Sequence, residues 1–544
     1  MKKTEIKTKR ITRSFDPTLG ITRNPKDPRL GAKRIVNMYV DKSKPHRALT
    51  NVPGLFGSDP LGGRVSSIAC HKERLGDVVY IHAGDKIYSV PKEKSDSKEF
   101  VKELFTGFNS QSIAIDQDGH LLIFDGRRFL SVDSDGTPTV TELEGEYSTA
   151  ALAVFNNRVF FYDEGSGSVY YTDDISEGLA LRITGEVAKI KGIKKMLPTP
   201  DRLYLITEGD VRSLKWDGEG FSEAESLCGI SAEDGMIIDG RLLLLSDRLV
   251  SIPLPLRSGE MRLISDNVSD ILSGGGWRFG GEWRGYIVIY RGGEILLCDR
   301  DTIGSEPIWF MMSGVGCHAR DRWLYRYTEE VKEGFDRPPE SNGVCRGEVI
   351  SCFDENGKET LYEEKDGKRY QVYNSGMKMF GKLLPPITLS ATPGLLIFGT
   401  EGGSYCLCRS DITSGEDYFA FDLHIPEITL ELHADDGGLP ATKKNSTPKS
   451  FNIGLKKTPD SFFEVKVKAD GKEVARQKFD TPVPKAKSDF EYIIQSIRIL
   501  GENSFNIAEH ARGFYKKQVE INAEAIGHPI SISEISYTLE YEKE

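Results

Sequence analysis

The strongest constraint on the fold is a hairpin that recurs along the chain. Each copy joins a short, continuous run of apolar residues to a second short strand through a tight turn rich in Gly, Asp or Asn. The copies begin at Asp77, Gly119, Asn157, Asp201, Gly240, Arg284 and Gly394. Runs such as LLLL at 242–245 are too short for helices and are apolar on both faces of a strand. This pattern predicts strands that are buried between sheets on either side.

The spacing of the hairpins predicts how these sheets are arranged. Neighbouring hairpins start about 40 residues apart, which is the size of a four-stranded propeller blade. Blades placed radially cover each other's faces, so their strands need no polar side. We therefore predict an all-β protein with a seven-bladed β-propeller over 64–411. Two stacked β-sandwiches are the alternative, but they would show a polar alternation that these runs lack.

One long gap leaves the blade number open. Region 315–393 separates the sixth and seventh hairpins and contains GEVISCFDENGKETLYEE, which starts at Gly347 and has the pattern of a further hairpin. We predict that 315–393 is either an insertion or an eighth blade.

The two ends of the chain differ from the propeller. EITLELHADDG, FFEVKVKADGKEV and SISEISYTLEYE alternate apolar and polar residues, which predicts a β-sandwich-like C-terminal domain over 412–544. Within it, 434–461 is rich in Lys, Thr, Pro and Gly and is predicted to be a mobile loop. Residues 1–63 contain six prolines, which disfavour long helices and central strands, and are predicted to form an extended arm. We expect very little helix anywhere.

Charge is distributed unevenly between the arm and the rest. Residues 1–50 contain 14 Lys or Arg and four Asp or Glu, a balance of +10, so the other 494 residues carry −21 of the total of −11. No apolar run reaches the length of a membrane helix, and no apolar core follows the basic start MKKTEIKTKR. We expect synthesis and retention in the cytoplasm until the protein is assembled, with no membrane span.

Catalytic and metal-binding patterns fail in detail. SVDSDGTPT from Ser131 lacks the spacing of a sialidase Asp box and reads as an Asp-Gly hairpin turn. GMKMFGKL from Gly376 resembles a phosphate-binding loop, but Leu383 stands where a hydroxyl is required and Pro385 follows. No histidine or nucleophile has a typical context. We therefore expect no catalytic, cofactor-binding or metal-binding residues and no cofactor.

The eight cysteines are weak evidence for disulfides in a chain of this length, and we expect buried free thiols. Cys406 and Cys408 are two residues apart on a predicted strand, so they share one face and cannot form a CxxC turn.

The segment before the first hairpin carries a family resemblance. It reads RIVNMYVD from Arg34, then a basic run, then NVPGLFG, and leads into VVYIHAGDKIYSV. This order, over roughly residues 30–95, resembles tail proteins of short-tailed bacteriophages, the group that includes packaged-DNA stabilisation proteins and tail nozzle proteins. HARGFYKKQVEINAEAIGHPISISEISYTLEYE from His510 is similar to the C-terminal end of uncharacterised phage virion proteins.

The resemblance implies a non-enzymatic virion protein that forms a ring in a phage tail or head–tail connector. Its implied location is the virion, after synthesis in the host cytoplasm. The implied partners are further copies in a hexamer or dodecamer, a portal or adaptor protein, and DNA that passes without sequence-specific binding. Acidic walls would repel the phosphates of passing DNA. A cytosolic propeller scaffold and a glycan-cleaving propeller enzyme remain alternatives, because paired carboxylates cannot be recognised from sequence.

The arm is the candidate assembly site. Its prolines and sparse apolar residues give it no core of its own, so we expect it to be ordered against a neighbouring subunit. The alternative is that it folds back onto its own propeller and closes it. The candidate contact residues are Asn37, Met38, Tyr39, Pro53, Gly54, Leu55 and Phe56.

Overall fold

The computed structural model describes most of the chain as far as residue 409 and separate strands beyond it. The described residues are 8–22, 30–43, 47–53, 55–57, 60–95, 100–117, 119–175, 182–216, 220–222, 224–255, 260–318, 322–329, 331–338, 340, 342–345, 349–353, 358–379, 383–409, 423–424, 428–433, 446–457, 461–469, 472–480, 493–498, 517–525 and 531–542.

Six described strands precede blade 1 in the sequence. They are β1 (Thr8–Ile21), β2 (Leu30–Ala32), β3 (Arg34–Val36), β4 (Met38–Val40), β5 (Leu49–Asn51) and β6 (Leu55–Gly57).

Six consecutive groups of four antiparallel strands follow, and we number them as blades 1 to 6; blades 1 to 5 are separate sheets, and blade 6 is part of a larger sheet. Blade 1 has β7 (Val65–Glu73), β8 (Gly76–Ala83), β9 (Lys86–Pro91) and β10 (Lys102–Thr106); blade 2 has β11 (Ile113–Gln117), β12 (His120–Phe124), β13 (Arg128–Val132) and β14 (Pro138–Glu142). Blade 3 has β15 (Thr149–Phe155), β16 (Arg158–Asp163), β17 (Ser168–Asp174) and β18 (Ile183–Lys189); blade 4 has β19 (Ile193–Pro198), β20 (Arg202–Thr207), β21 (Val211–Lys215) and β22 (Glu225–Cys228). Blade 5 has β23 (Asp234–Ile238), β24 (Arg241–Leu245), β25 (Leu249–Pro253) and β26 (Arg262–Leu263); blade 6 has β27 (Arg278–Trp283), β28 (Tyr286–Arg291), β29 (Glu294–Asp299) and β30 (Trp309–Ser313).

An insertion then interrupts the blades. Its strands are β31 (Cys317–His318), β32 (Arg322–Tyr327), β33 (Val349–Phe353), β34 (Glu359–Lys365), β35 (Lys368–Met379) and β36 (Leu383–Leu384). His318–Leu384 forms a compact unit of its own, in which the sheet order is β32-β35-β34-β33. The hairpin noticed in the sequence near Gly347 is β33–β34 and belongs to this separate sheet.

Blade 7 is assembled from both sides of the sequence. Its first three strands are β37 (Pro386–Thr392), β38 (Leu395–Thr400) and β39 (Tyr405–Arg409), and its fourth is β6, which pairs with β39. Among the described residues, seven such units succeed one another. The innermost strands, β7, β11, β15, β19, β23, β27 and β37, each contact the next, and β37 contacts β7, so the circle is closed. The predicted all-β propeller is confirmed.

Hydrophobic clusters lie at the junctions between neighbouring blades. Leu121 and Ile123 pack with blade 1, whereas Leu122 and Phe124 pack with blade 3. Alternate residues of one strand thus face two different neighbours, which is why the runs are apolar without interruption. Burial of each such side chain contributes about 1.5–3 kcal/mol.

The remaining strands form two sheets together with strands of the N-terminal region. They are β40 (Leu423–His424), β41 (Ile428–His433), β42 (Ser446–Lys457), β43 (Ser461–Ala469), β44 (Lys472–Asp480), β45 (Ile493–Arg498), β46 (Lys517–Ala525) and β47 (Ser531–Glu542). One sheet has the order β2-β1-β47-β42-β45, with the hairpin β4–β5 joined to β47. In the other, β3-β41-β46-β43-β44 continues from β30 of blade 6.

The predicted mobile loop at 434–461 is wrong in its second half. Ser446–Lys457 is a long strand, paired with β45 on one side and β47 on the other. Phe451, Ile453 and Leu455 occupy alternate positions of this strand, but the Lys, Thr and Pro residues of the segment made this alternation difficult to recognise. Helix is sparse in the described residues, as expected, with short 3-10 turns at Lys92–Lys94, Asp266–Val268 and Arg300–Thr302 and one helical turn, α1, at Ser269–Leu272.

Candidate functional site

Four short strands, β3 to β6, make up the segment that we call the clasp (residues 34–57); Met38 and Tyr39 lie in β4, Leu55 and Phe56 lie in β6, and Asn37 and Pro53 lie in the connections between strands. β3 lies between β30 of blade 6 and β41, and β6 completes blade 7. The clasp therefore connects two blades with the C-terminal sheets. Strands of three residues carry no periodic signal, so only this tertiary pairing identifies them as strands.

Asn37 lies at the centre of the clasp and extends the ladder of blade 6. Its backbone has a φ of 61°, in the left-handed region that Asn tolerates better than most residues. Its side-chain amide donates to the carbonyl of Ser313 at 3.1 Å and accepts from the amide of Ser313 at 2.8 Å. Its backbone amide donates to Met311 at 2.7 Å, and its carbonyl accepts from Val52 at 2.9 Å. Asn37 thus acts like an additional peptide group beside β30.

Tyr39 anchors the clasp in an aromatic pocket on the turn between β27 and β28. Its ring centroid is 5.2 Å from that of Trp283 and 6.0 Å from that of Tyr286. Arg284 donates a hydrogen bond to the Tyr39 hydroxyl, and its guanidinium lies 5.2 Å from the Trp283 ring centroid. Asp41 is 3.7 Å from Arg284. Burial raises the pKa of Tyr39 well above its ordinary value, so the phenol stays neutral.

Lys42 makes the charged contact at the end of β4. Its Nζ lies 2.5 Å from Asp299 and 2.9 Å from Asp301, and it donates to the carbonyl of Gly285 at 3.1 Å. It also lies 4.9 Å from the ring centroid of Tyr286, whose hydroxyl donates to the carbonyl of Val40. Cation, carboxylates and ring hold the clasp on blade 6.

The second candidate motif closes blade 7. Phe56 pairs with Leu407 and Leu55 with Cys408 in the antiparallel register of β6 and β39. The thiol of Cys408 donates to the carbonyl of Pro53 at 3.6 Å. Gly54 lies outside the described residues.

These placements bear directly on the arm hypothesis. The side chains of Asn37, Met38 and Tyr39 are at most 2% exposed within the chain's own fold. Their burial favours the alternative in which this part of the arm folds back and closes its own propeller. An intersubunit role of the arm stays a prediction. Lys42, Trp283 and Arg284 were not predicted from the sequence as contact residues. The run EWRGY could have indicated a contact site, since aromatic residues flank an Arg at a turn.

A second polar centre lies between blades 1 and 2. His71 on β7 is fully buried, with Nδ1 2.9 Å from the carboxylate of Asp116 and Nε2 2.9 Å from the carbonyl of Asp133. Since both neighbours are acceptors, the geometry suits a doubly protonated ring. Burial alone would lower the pKa of His71, but these two hydrogen bonds raise it above its ordinary value.

His82, at the other end of the same interface, has the opposite environment. Its Nδ1 is 2.8 Å from the hydroxyl of Ser66 and 2.6 Å from that of Ser112, and Ser67 in turn lies 2.6 Å from Ser112. Burial lowers the pKa of His82 to about 4. Nε2 of His82 has no hydrogen-bond partner. A serine nucleophile needs a base that is oriented through its second nitrogen, so this cluster does not have the geometry of a catalytic triad.

The other sequence motifs are structural in the described chain. Asp133 accepts hydrogen bonds from the amides of Asp135 and Thr137, which confirms the hairpin turn in SVDSDGTPT. The phosphate-loop look-alike begins within the strand β35. No group of three or more His, Cys, Asp or Glu in the described residues could hold a metal ion. No helix in this part of the chain is long and apolar enough to cross a membrane.

The cysteine expectation is correct in part. The described free thiols include Cys70, Cys228, Cys298, Cys352 and Cys408. Burial raises the pKa of Cys408 to about 12, which makes its thiol unreactive. Cys317 is disulfide-bonded, contrary to the expectation.

Comparisons with known proteins find similarity in fold only. No protein-family model and no curated protein matches the chain. Among solved structures, the computationally designed protein Ika8 has 12% identity and a TM-score of 0.37 over 66% of this chain and 100% of its own. A streptogramin B lyase has 10% identity and a TM-score of 0.33 over 59% and 98%. The WD40 domain of Pan2 from Neurospora crassa has 10% identity and a TM-score of 0.33 over 61% and 99%. No activity or partner follows from similarity this low.

Proposed function

We propose that this protein is a non-enzymatic structural subunit of a phage virion, which assembles as a ring in the tail or the head–tail connector. The supporting observation is where the family resemblance falls. Residues 34–57, which carry much of it, form the clasp that joins blades 6 and 7 to the C-terminal sheets. The resembling segment thus holds large parts of the fold together, as a subunit under mechanical load requires.

The polar centres also fit a structural role. The charged groups of the clasp are satisfied by each other, and His71 is hydrogen-bonded at both nitrogens. Buried polar groups that satisfy each other stiffen a fold but leave no group to act on a substrate.

The centre of the propeller is not where we place the DNA. The seven innermost strands carry four basic residues (Lys72, Lys194, Lys195, Arg278) and four acidic ones (Glu73, Asp116, Asp234, Glu282). They contain no excess of negative charge to repel phosphate. We place the DNA in a channel enclosed by several subunits, with each propeller forming part of the surrounding wall.

Electron microscopy and light scattering of the purified full-length chain test this proposal. A closed ring of six or twelve copies is expected, with no specific affinity for a DNA duplex at physiological salt. The exposed-site variant Leu75→Ala is the matched control, because Leu75 is 96% exposed at the turn between β7 and β8 and should assemble like the wild type. A stable monomer at micromolar concentration would overturn the ring and favour a cytosolic scaffold.

A further inference from the structure

Strand β1 is continuous over Thr8–Ile21, but its pairing divides it into two parts, and we call the irregular stretch between them the break. Asp16 is exposed, and its carboxylate accepts hydrogen bonds from the amide of Thr18 at 3.0 Å and from its hydroxyl at 2.5 Å. The pairing of β1 with β2 changes register between Asp16 and Ile21. Pro17 follows Asp16 and has no amide hydrogen to give to a ladder. The break therefore begins at Asp16 and lies between Asp16 and Ile21.

The part after the break is fixed in the fold. Ile21 is 2% exposed in the core that surrounds blade 6. Gly20 has a φ of 75°, and a Cβ at this position would lie 2.6 Å from the carbonyl oxygen of Trp309. This close approach holds the chain against β30 and requires glycine.

The part before the break depends on one neighbour. Thr8 to Phe15 pair with Glu542 to Ile535 of β47 in eight consecutive antiparallel positions, and no other described strand pairs with these eight residues. We call 8–15 the donor strand.

Charge favours this pairing. The donor strand contains Lys9, Arg10 and Arg13, and β47 contains Glu534, Glu540 and Glu542. Arg10 lies directly opposite Glu540 in the register. Opposite charges at directly opposed positions of an antiparallel pair are stabilising by about 0.2–1 kcal/mol.

We propose that in the assembled ring the donor strand of one subunit pairs with β47 of the neighbouring copy. This inference rests on the proposed ring. Every contact between the donor strand and β47 is equally available between two copies, so exchange loses no pairing. Only the backbone at 16–18 must rotate, while Gly20 and Ile21 remain in place. Eight extended residues span about 27 Å, enough to cross a subunit boundary.

Cysteine pairing between separate chains tests the exchange. Thr12 lies opposite Thr538, and directly opposed residues in antiparallel strands are at a distance that suits a disulfide. The full-length variants Thr12→Cys and Thr538→Cys are each purified, mixed under assembly conditions and oxidised. We expect a covalent dimer of twice the chain mass in the mixture, at a level well above that in either variant alone. The wild type, oxidised in the same way, shows how much dimer the native cysteines form.

Charge reversal supplies the matched control. Arg10→Glu added to Thr12→Cys should lower the dimer yield several-fold, and Glu540→Arg added to Thr538→Cys should restore it. If the mixture gives no dimer while Thr12→Cys/Thr538→Cys in one chain closes only within itself, the donor strand pairs in its own subunit and the exchange is wrong. Rings seen by microscopy alongside that result would leave the proposed function intact.

Discussion

The junction between blades 1 and 2 and the clasp on blade 6 solve the same problem in different ways. Both bury polar groups between segments that must stay together. At the clasp these groups are Arg284, Lys42 and Tyr39, which are held by ion pairs and hydrogen bonds. At the other junction they are the imidazoles of His71 and His82, whose pKa values the fold shifts in opposite directions. The clasp also joins segments more than 240 residues apart, whereas the histidines join adjacent blades.

This difference suggests which junction limits stability under which condition. The clasp bears the cost of closing a very long loop, so its loss should unfold the most structure. The histidine junction should matter less at neutral pH and more when the pH moves to either side.

Loss of the aromatic anchor should have the largest effect. Tyr39→Ala removes a side chain that is 1% exposed and packs against Trp283 and Tyr286. We expect the free energy of unfolding to fall by about 3–5 kcal/mol. Urea unfolding followed by tryptophan fluorescence measures it, and Leu75→Ala is the control, expected within about 0.5 kcal/mol of wild type. A loss below about 1 kcal/mol for Tyr39→Ala would show that the clasp does not limit stability.

Loss of the Asn37 side-chain amide should have the second-largest effect on stability. Asn37→Gly keeps the left-handed backbone but removes two hydrogen bonds to Ser313, so we expect a loss of about 2 kcal/mol. Asn156→Gly is matched in backbone, since Asn156 has a φ of 51° in the two-residue turn between β15 and β16. That variant should be within about 0.5 kcal/mol of wild type. Equal losses in the two variants would mean that conformation, not hydrogen bonding, accounts for Asn37.

Loss of the charged contact that Lys42 makes should have the third-largest effect on stability. Lys42→Met leaves Asp299, whose side chain is 13% exposed, without its lysine, and we expect a loss of about 1–2 kcal/mol. Lys194→Met breaks a pair with Glu208 at 3.0 Å in which the two side chains are 37% and 73% exposed. It should cost no more than about 0.5 kcal/mol. Thermal unfolding of both variants at two salt concentrations compares the stability that each ion pair contributes. Similar losses in the two variants would show that the Lys42 contact is no stronger than an exposed ion pair.

The smallest effects should depend on pH, with opposite signs for the two histidines. The pKa of His71 is raised by the fold, so its contribution is complete below about pH 6.5 and is lost as the pH rises through the folded-state value. The pKa of His82 is lowered to about 4, so its contribution is complete above about pH 6.5 and is lost as the pH falls toward 4.

Substitution of each histidine should flatten one side of the stability profile. His71→Gln should destabilise by about 1 kcal/mol at pH 6 and by less at pH 9. His82→Gln should remove the loss between pH 6.5 and 4 that His82 causes in the wild type. Melting temperatures measured from pH 4 to 9 report both. Parallel profiles for the two variants would refute the assignment of opposite protonation states.

The repeated hairpins show what could be predicted from the sequence. All seven coincide with the second and third strands of the blades, for example β12–β13 from Gly119 and β38–β39 from Gly394. They are visible because a strand buried on both faces needs apolar residues at every position. The strands β41, β43 and β47 were predicted from the alternation of apolar and polar residues in their sequences, which has a period of two.

The amino-acid sequence by itself determined the all-β class, the blade hairpins and the separation of a charged arm from an acidic body. Only the tertiary structure decided that β6 completes blade 7, that β3 joins blade 6 to β41, and that His318–Leu384 is a unit of its own. The physical reason is the distance along the chain between the residues that interact. A hairpin is encoded by neighbouring residues, whereas a three-residue strand such as Arg34–Val36 has no period of its own. Its place depends on partners such as Met311 and Leu430, which lie hundreds of residues away along the chain.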